Sequence, residues 1–235
     1  MLKVLDSAVP IECWSCSVAH NESTLFCPNC SKIQPPTGGS YFSVFTLEPH
    51  LNVDLAALEQ EFHRLSRKLH PDRFARASSN EKEWSLADTA LLNDAYRTLK
   101  DPIRRTQYLL KLHGAEIGEE HAGKNRKENA MGPSRAPADL LEEVFELNMQ
   151  LEEMRMAREG GEDDPALKKS LTDAKQKFEG LLGEVDRDLR AQWTAWDNGD
   201  EAARKQAQDT MVALLDRRRY LNNLVREVND TLGAS

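Results

Sequence analysis

All four cysteines lie between positions 13 and 30, arranged as Cys13-Trp14-Ser15-Cys16 and Cys27-Pro28-Asn29-Cys30. Thiolates at this spacing can converge from a tight turn on one cation, and two such turns complete a tetrahedral four-sulfur shell. A closed shell leaves no open position for catalysis. The chemistry it offers is structural: one zinc ion folding a segment too short for a core of its own. The same residues could instead make a redox pair, two disulfides or an iron centre. A redox motif wants a βαβ context, and disulfides want an export signal, and neither is found beside these cysteines. Zinc on Cys13, Cys16, Cys27 and Cys30 is therefore the preferred reading. Trp14 is expected to pack beside the knuckle.

A second constellation is Leu69-His70-Pro71-Asp72-Arg73-Phe74. Pro71 stiffens a turn, so little entropy is lost when the turn docks. Asp72 can accept from a partner's arginine, and His70 adds a second polar contact. Arg64, Arg67 and Lys68 precede the turn and Arg73 and Arg76 follow it, a basic patch suited to an acidic partner. An enzyme built on His70 and Asp72 would need a nucleophile in a recognisable arrangement with them, and no serine or cysteine provides one. The chain is thus expected not to be an enzyme.

The elements that must position these residues are helical. Asp54 is a cap ahead of Leu55, Leu58, Phe62, Leu65 and Leu69 at helical spacing, and Pro71 ends that run. Trp84, Ala87, Leu91, Ala95 and Leu99 mark a second helix. Asp101-Pro102 opens a third, which ends near Gly114. The His-Pro-Asp turn therefore joins two antiparallel helices. Ile33–Ser40 reads as a turn-rich linker, and residues 115–137 as an exposed connection.

Further on, Leu140, Val144, Leu147, Leu151 and Met154 repeat at four-three spacing. So do Leu167, Leu171, Ala174, Phe178, Leu181, Val185 and Leu189. The last set is Ala207, Met211, Leu214, Leu221, Val225, Val228 and Leu232, with a gap at Arg218. Three such stripes can bury one another in an antiparallel bundle. The fold expected is mostly α: a small zinc-knuckle arm over residues 1–36, a helical module over 41–114 and a three-helix bundle over 138–232.

The first bundle helix carries a second apolar ridge, Leu141, Phe145 and Met149, each one residue after a core position. Glu142, Glu146, Glu152 and Glu153 flank it. An apolar strip rimmed by charge suits a protein–protein site, and packing against the helical module is the other use for it.

Composition agrees with a helical protein and narrows its partners. The 235 residues are 40% hydrophobic and 30% charged, with a net charge of -8. That balance disfavours nucleic acid as the main partner, and no apolar run approaches a membrane span. The first residues show neither a signal peptide nor an Arg-rich presequence, so a cytoplasmic protein is expected, or a mitochondrial-matrix one after processing.

The helix–His70-Pro71-Asp72–helix layout resembles a J-domain over about Tyr41 to Gly114. The segment Leu99–Gly114, LKDPIRRTQYLLKLHG, resembles the close of the J-domain in HscB-type co-chaperones, as do the opening Tyr41-Phe42 and an acidic helical bundle after it. Forms of that family with a tetracysteine arm exist. Thr106 departs from the pattern, standing where a small apolar residue is more usual, and the connection after Gly114 is long.

The resemblance implies that His70, Pro71 and Asp72, with Arg64, Arg67, Lys68 and Arg73, stimulate the ATPase of a DnaK/HscA-type chaperone. It also implies that Leu141, Glu142, Phe145, Glu146, Met149 and Glu153 bind an IscU-type iron–sulfur scaffold. Tyr220 either completes that patch or packs in the bundle. A J-domain co-chaperone for a different client is the alternative reading.

Overall fold

The computed structural model describes residues 11–20, 24–36, 38–117, 137–161 and 164–233. The chain divides into two compact units, Met1–His113 and Gly114–Ser235. The connection expected over 115–137 lies, for residues 118–136, outside the described residues. No helix among the described residues is long and apolar enough to cross a membrane.

The first unit opens with the arm. Strands β1 (Ile11–Glu12) and β2 (Ala19–His20) pair antiparallel, with Ile11 opposite His20. Phe26 forms a second antiparallel bridge with Ile33. Each bridge closes a loop that carries one cysteine pair. Ile33 and Gln34 are buried, so the arm extends into the stretch that reads as a linker. Their burial follows from the bridge to Phe26 and from hydrogen bonds described below, neither of which composition can reveal.

Four helices follow: α1 (Tyr41–Val44), α2 (Leu55–Leu69), α3 (Ser79–Lys100) and α4 (Pro102–Leu112). Asp54 caps α2 by accepting from the amides of Ala56 and Ala57 at 2.9 and 3.1 Å. Ser78 and Glu81 form a reciprocal capping box at the start of α3. Asp101 caps α4 from the amides of Ile103 and Arg104, with Pro102 at the first helical position. Tyr41 begins α1 itself; its ring stacks on Tyr108 of α4 at 4.4 Å, and its amide donates to the Tyr108 hydroxyl.

The buried face of α3 differs from the expected stripe over its first half. Ser85, Asp88 and Leu92 are buried, whereas Trp84 and Leu91 are half-buried and Ala87 is exposed. The shift has a packing cause. Ser85 Oγ donates to the Leu69 carbonyl at 2.7 Å, which ties the end of α2 to α3, and Trp84 is turned toward Trp14 of the arm. From Ala95 to Leu99 the expected and observed faces agree. In α2, Leu55 is exposed and Phe62 is half-buried, stacked on Tyr96 at 4.1 Å.

Arg105 of α4 is buried and donates to the carbonyls of Leu51 and Leu99, so it holds the end of α3 to the loop before α2. Thr106 is also fully buried; its hydroxyl donates to the Pro102 carbonyl at 2.8 Å within its own helix, which is how a polar residue fits there.

The second unit contains α5 (Leu141–Glu159), α6 (Pro165–Asn198) and α7 (Glu201–Leu232). The α6–α7 hairpin turns at Gly199, where a Cβ would stand 2.2 Å from the Ala195 carbonyl oxygen. Only glycine permits that approach. Leu140, Val144, Leu147, Leu151 and Met154 all enter the core, as their spacing requires. On α7 the core takes Leu215 and Leu224; Leu214 and Val225, expected there, are half-buried against it. The gap at Arg218 is filled by an ion pair: Arg218 Nε donates to Asp186 of α6 at 2.6 Å, with both side chains largely covered.

Candidate functional site

The two knuckles are built alike. The amides of Ser17 and Ser31 donate to the carbonyls of Cys13 and Cys27, both at 2.9 Å. Both serines adopt a φ of 58°, the left-handed turn that brings two sulfurs to one side. All four Sγ atoms lie within 4.8 Å of one another. Cys13–Cys30 and Cys16–Cys27 are each 3.6 Å apart. A tetrahedral shell with metal–sulfur bonds of about 2.3 Å has sulfur–sulfur edges of about 3.8 Å, so the residues present fit a metal ion.

The four thiols do not ionise alike. Burial opposes ionisation of Cys13, but the amides of Ser15 and Cys16, with the sulfurs of Cys30 and Cys16, together outweigh it and bring its thiol down to about 6. The Lys32 amide favours the Cys30 thiolate, yet burial and the sulfurs of Cys16, Cys13 and Cys27 push that thiol up to about 11. All four can be thiolates at once only with a cation among them.

A second layer surrounds the sulfurs. Gln34 Nε2 donates to Cys13 Sγ at 3.4 Å and to the Lys32 carbonyl at 2.8 Å. Gln34 Oε1 lies 3.1 Å from Nε2 of buried His20, whose Nδ1 meets the Thr24 hydroxyl at 2.8 Å. Asn29 Nδ2 is 3.6 Å from Cys16 Sγ. Sequence reasoning missed His20 and Gln34, because neither stands at ligand spacing.

The arm rests on the helices of its own unit. Trp14 donates from its indole to the Ile33 carbonyl at 2.7 Å and meets Trp84 edge-on at 5.7 Å, the packing role expected of it. Lys32 pairs with Glu81 of the α3 capping box at 3.1 Å. The sequence reading missed this joint, although a Ser-x-x-Glu spacing at Ser78 and Glu81 was a signal for the cap; nothing in the sequence signals its arm partner.

The His70-Pro71-Asp72 turn caps α2 and opens a short 3-10 turn, Pro71–Phe74. The Asp72 amide donates to His70 Nδ1 at 3.3 Å, and the Arg73 amide to the His70 carbonyl at 2.9 Å. Both bonds fix the backbone while leaving the side chains outward: His70 and Asp72 are 60% and 91% exposed.

The basic residues around the turn are not equivalent. Arg64 is held by Glu61 through its Nε at 2.6 Å, a pairing that keeps the Glu61 carboxyl below its ordinary value. The Lys68 ammonium lies 5.6 Å from the ring centroid of Phe26 in the arm. Arg67, Arg73 and Arg76 are exposed.

In the second unit, Leu141, Phe145 and Met149 are exposed at 42%, 60% and 59%, while their neighbours Leu140, Val144 and Leu147 fill the core. Glu142, Glu146, Glu152 and Glu153 are exposed along the same helix. Met156, at 62% exposure, continues the ridge seven residues beyond Met149, a spacing the sequence already held. Tyr220 packs against the bundle core with its hydroxyl buried and without a hydrogen-bond partner among the described residues.

No protein-family model matches the sequence. The human iron-sulfur cluster co-chaperone protein HscB is 36% identical over 171 residues, which cover 70% of this chain and 65% of that protein, just under two thirds of its length. The mouse protein of the same name is 29% identical over 222 residues, 92% of this chain and 81% of its own. A co-chaperone protein HscB homolog of Shewanella halifaxensis is 46% identical over 81 residues, 34% of this chain and 47% of that protein.

The crystal structure of human co-chaperone protein HscB superposes with a TM-score of 0.64 at 27% identity, covering 93% of this chain and 97% of that one. Chaperone HscB from Vibrio cholerae shares the fold, with a TM-score of 0.55 at 24% identity over 82% of this chain and 96% of that one. The chain is thus similar in sequence and in fold to HscB co-chaperones, and the cysteine cluster ahead of its helices fits a tetracysteine arm.

Proposed function

We propose that the protein is a J-domain co-chaperone of iron–sulfur cluster assembly that stimulates the ATPase of a DnaK/HscA-type chaperone and delivers an IscU-type scaffold to it. The observation that carries the reading is the His70-Pro71-Asp72 turn, rigid in backbone and outward in side chain. A docking loop of this kind loses little freedom on binding and presents a carboxylate to a partner's arginine. The protein forms no covalent bond in this scheme; its partner hydrolyses the ATP.

The scaffold is bound by the α5 ridge, with Leu141, Phe145 and Met149 as apolar anchors and Glu142, Glu146 and Glu153 as the charged rim. Support comes from their exposure on a helix whose other face is already fully used by the core. Zinc in the cysteine shell supplies one structural cation and no open coordination site.

The test measures steady-state ATP hydrolysis by a purified DnaK/HscA-type chaperone with this protein and with IscU. Wild-type protein should stimulate hydrolysis, and IscU should add to the effect. His70→Gln and Asp72→Ala should abolish stimulation with helical circular dichroism unchanged. Full stimulation by both variants refutes the J-domain role. Stimulation without any IscU binding would assign the bundle to a different client.

A further inference from the structure

The 3-10 turn Pro71–Phe74, which carries Asp72, has no buried residue of its own. Its backbone bonds are local: Arg73 donates to the His70 carbonyl and Ala77 to the Phe74 carbonyl, both at 2.9 Å. Bonds of this kind fix the shape of a loop and leave its direction to whatever holds its two ends. One end is the last turn of α2, which includes Lys68. The other is the Ser78–Glu81 capping box of α3.

The arm touches both ends. On the α2 side, the Lys68 ammonium lies 5.6 Å from the centroid of the Phe26 ring. On the α3 side, Lys32 pairs with Glu81 at 3.1 Å, and Glu81 is itself buried. The Lys32 ammonium also lies 5.9 Å from the Trp14 ring centroid, and Trp14 meets Trp84 of α3 edge-on at 5.7 Å. Phe26 and Lys32 flank the second cysteine knuckle and are joined across its base. The Phe26 backbone bridges to buried Ile33, and the Cys27 amide donates to the Lys32 carbonyl at 2.9 Å. One small folded loop therefore has a hold on the helix before the turn and on the helix after it. A cation over a ring and a half-exposed ion pair are each weak. Placed on either side of one turn they oppose the same motion, because neither helix end can swing without breaking one of them.

We propose that the arm is a positioning brace for the His70-Pro71-Asp72 turn: Phe26 and Lys32 hold the end of α2 and the start of α3 at a fixed spacing, so that His70 and Asp72 point in one direction. Phe26 and Lys32 are positioning residues, acting through Lys68 and Glu81 without contact with the chaperone. A turn that points correctly only part of the time docks with an affinity reduced by that fraction. The effect on docking rests on the co-chaperone reading; the brace does not.

The full chain tests both. Amide hydrogen exchange is followed by NMR in the free protein for wild type, Phe26→Leu, Lys32→Met and the double variant. Exchange at Arg73 and Ala77, whose bonds involve neither substituted residue, should quicken about fivefold in the double variant, as two weak contacts are lost. Phe26→Tyr and Lys32→Arg keep a ring and a charge in place and should exchange at the wild-type rate. Lys32→Met replaces a half-exposed side chain, so it answers even if Phe26→Leu disturbs the arm, and should quicken the same amides about twofold. Wild-type exchange in Lys32→Met and in the double variant overturns the brace. Stimulation of a purified DnaK/HscA-type ATPase is then titrated. The double variant should need about twofold more protein for half-maximal stimulation and regain the wild-type rate at saturation. An unshifted titration beside quickened exchange overturns the effect on docking. Wild-type protein that stimulates no chaperone overturns the co-chaperone reading alone, because exchange is measured without the chaperone.

Discussion

Lys32 and Glu81, 49 residues apart in sequence, meet at 3.1 Å, so that a residue of the arm neutralises the carboxylate that caps α3. The Glu81 carboxyl is held below its ordinary value of 4.5, first by the amide and hydroxyl of Ser78 and then by Lys32. The arm and the helix that follows the His-Pro-Asp turn thus share one charged joint.

This joint predicts an acid-sensitive arm. A carboxylate with a lowered folded-state pKa stabilises the fold fully above its ordinary value and loses that contribution as pH falls through the lower one. Acidification below 4.5 should therefore loosen the start of α3 together with the arm. The T-shaped Trp14–Trp84 pair reports on it through tryptophan fluorescence. Glu81→Gln should remove the part of the transition in that window, and Ser78→Ala should lower stability by about 1 kcal/mol through the lost cap.

The basic face of α2 should not respond uniformly. Arg64 is already paired with Glu61, whereas Arg67 has no carboxylate partner among the described residues. Arg67→Ala should raise the concentration needed for half-maximal ATPase stimulation by about fivefold, the worth of one exposed ion pair of about 1 kcal/mol. Arg64→Ala should do less. Both effects should shrink as salt is raised, because exposed charges are screened. Titrations of chaperone ATPase rate at low and high salt check this.

Changing Leu141, Phe145 and Met149 together to Ala should weaken scaffold affinity at least about tenfold, since one central anchor can be worth about 2 kcal/mol. The melting temperature should change little, because Val144, Leu147 and Leu151 remain in the core. Met156→Ala should give a smaller loss of affinity. Calorimetric titration with IscU and a thermal melt separate the outcomes: normal binding with early melting would make the ridge a packing surface.

Arg105→Met should destabilise the first unit by about 2 kcal/mol or more. It leaves the carbonyls of Leu51 and Leu99 without their buried cationic donor, and charge-assisted bonds of this kind are worth about 1.5 to 3 kcal/mol each. Urea denaturation followed by circular dichroism measures the change, and the α5–α7 bundle should be unaffected.

Much of this was legible in the residues. The paired cysteines, the caps at Asp54 and Asp101, and the spacing of Leu140 to Met154 each encode a local geometry that the structure repeats. Much of what escaped had one cause: a polar residue used in the core or against it. Ser85 and Asp88 are buried where hydrophobic spacing favours Trp84 and Ala87, because the neighbours of α3 there are a helix-end carbonyl and the arm. Gln34 reads as linker and serves the cysteine shell. Arg218 reads as a gap and is half of an ion pair with Asp186. Such roles depend on partners distant in sequence, which periodicity does not report.

The ridge on α5 carries a hazard as well as a use. A stripe running from Leu141 to Met156 with its side chains in water is adhesive toward any apolar surface, including the same stripe on another molecule. Two such stripes brought face to face would also bring Glu142, Glu146, Glu152 and Glu153 of each molecule into register with carboxylates of the other. Like charges at that range repel, and the repulsion fades as salt rises. The acidic rim should therefore disfavour pairing of the stripe with its own copy at low salt, while leaving it open to a surface that brings positive charge.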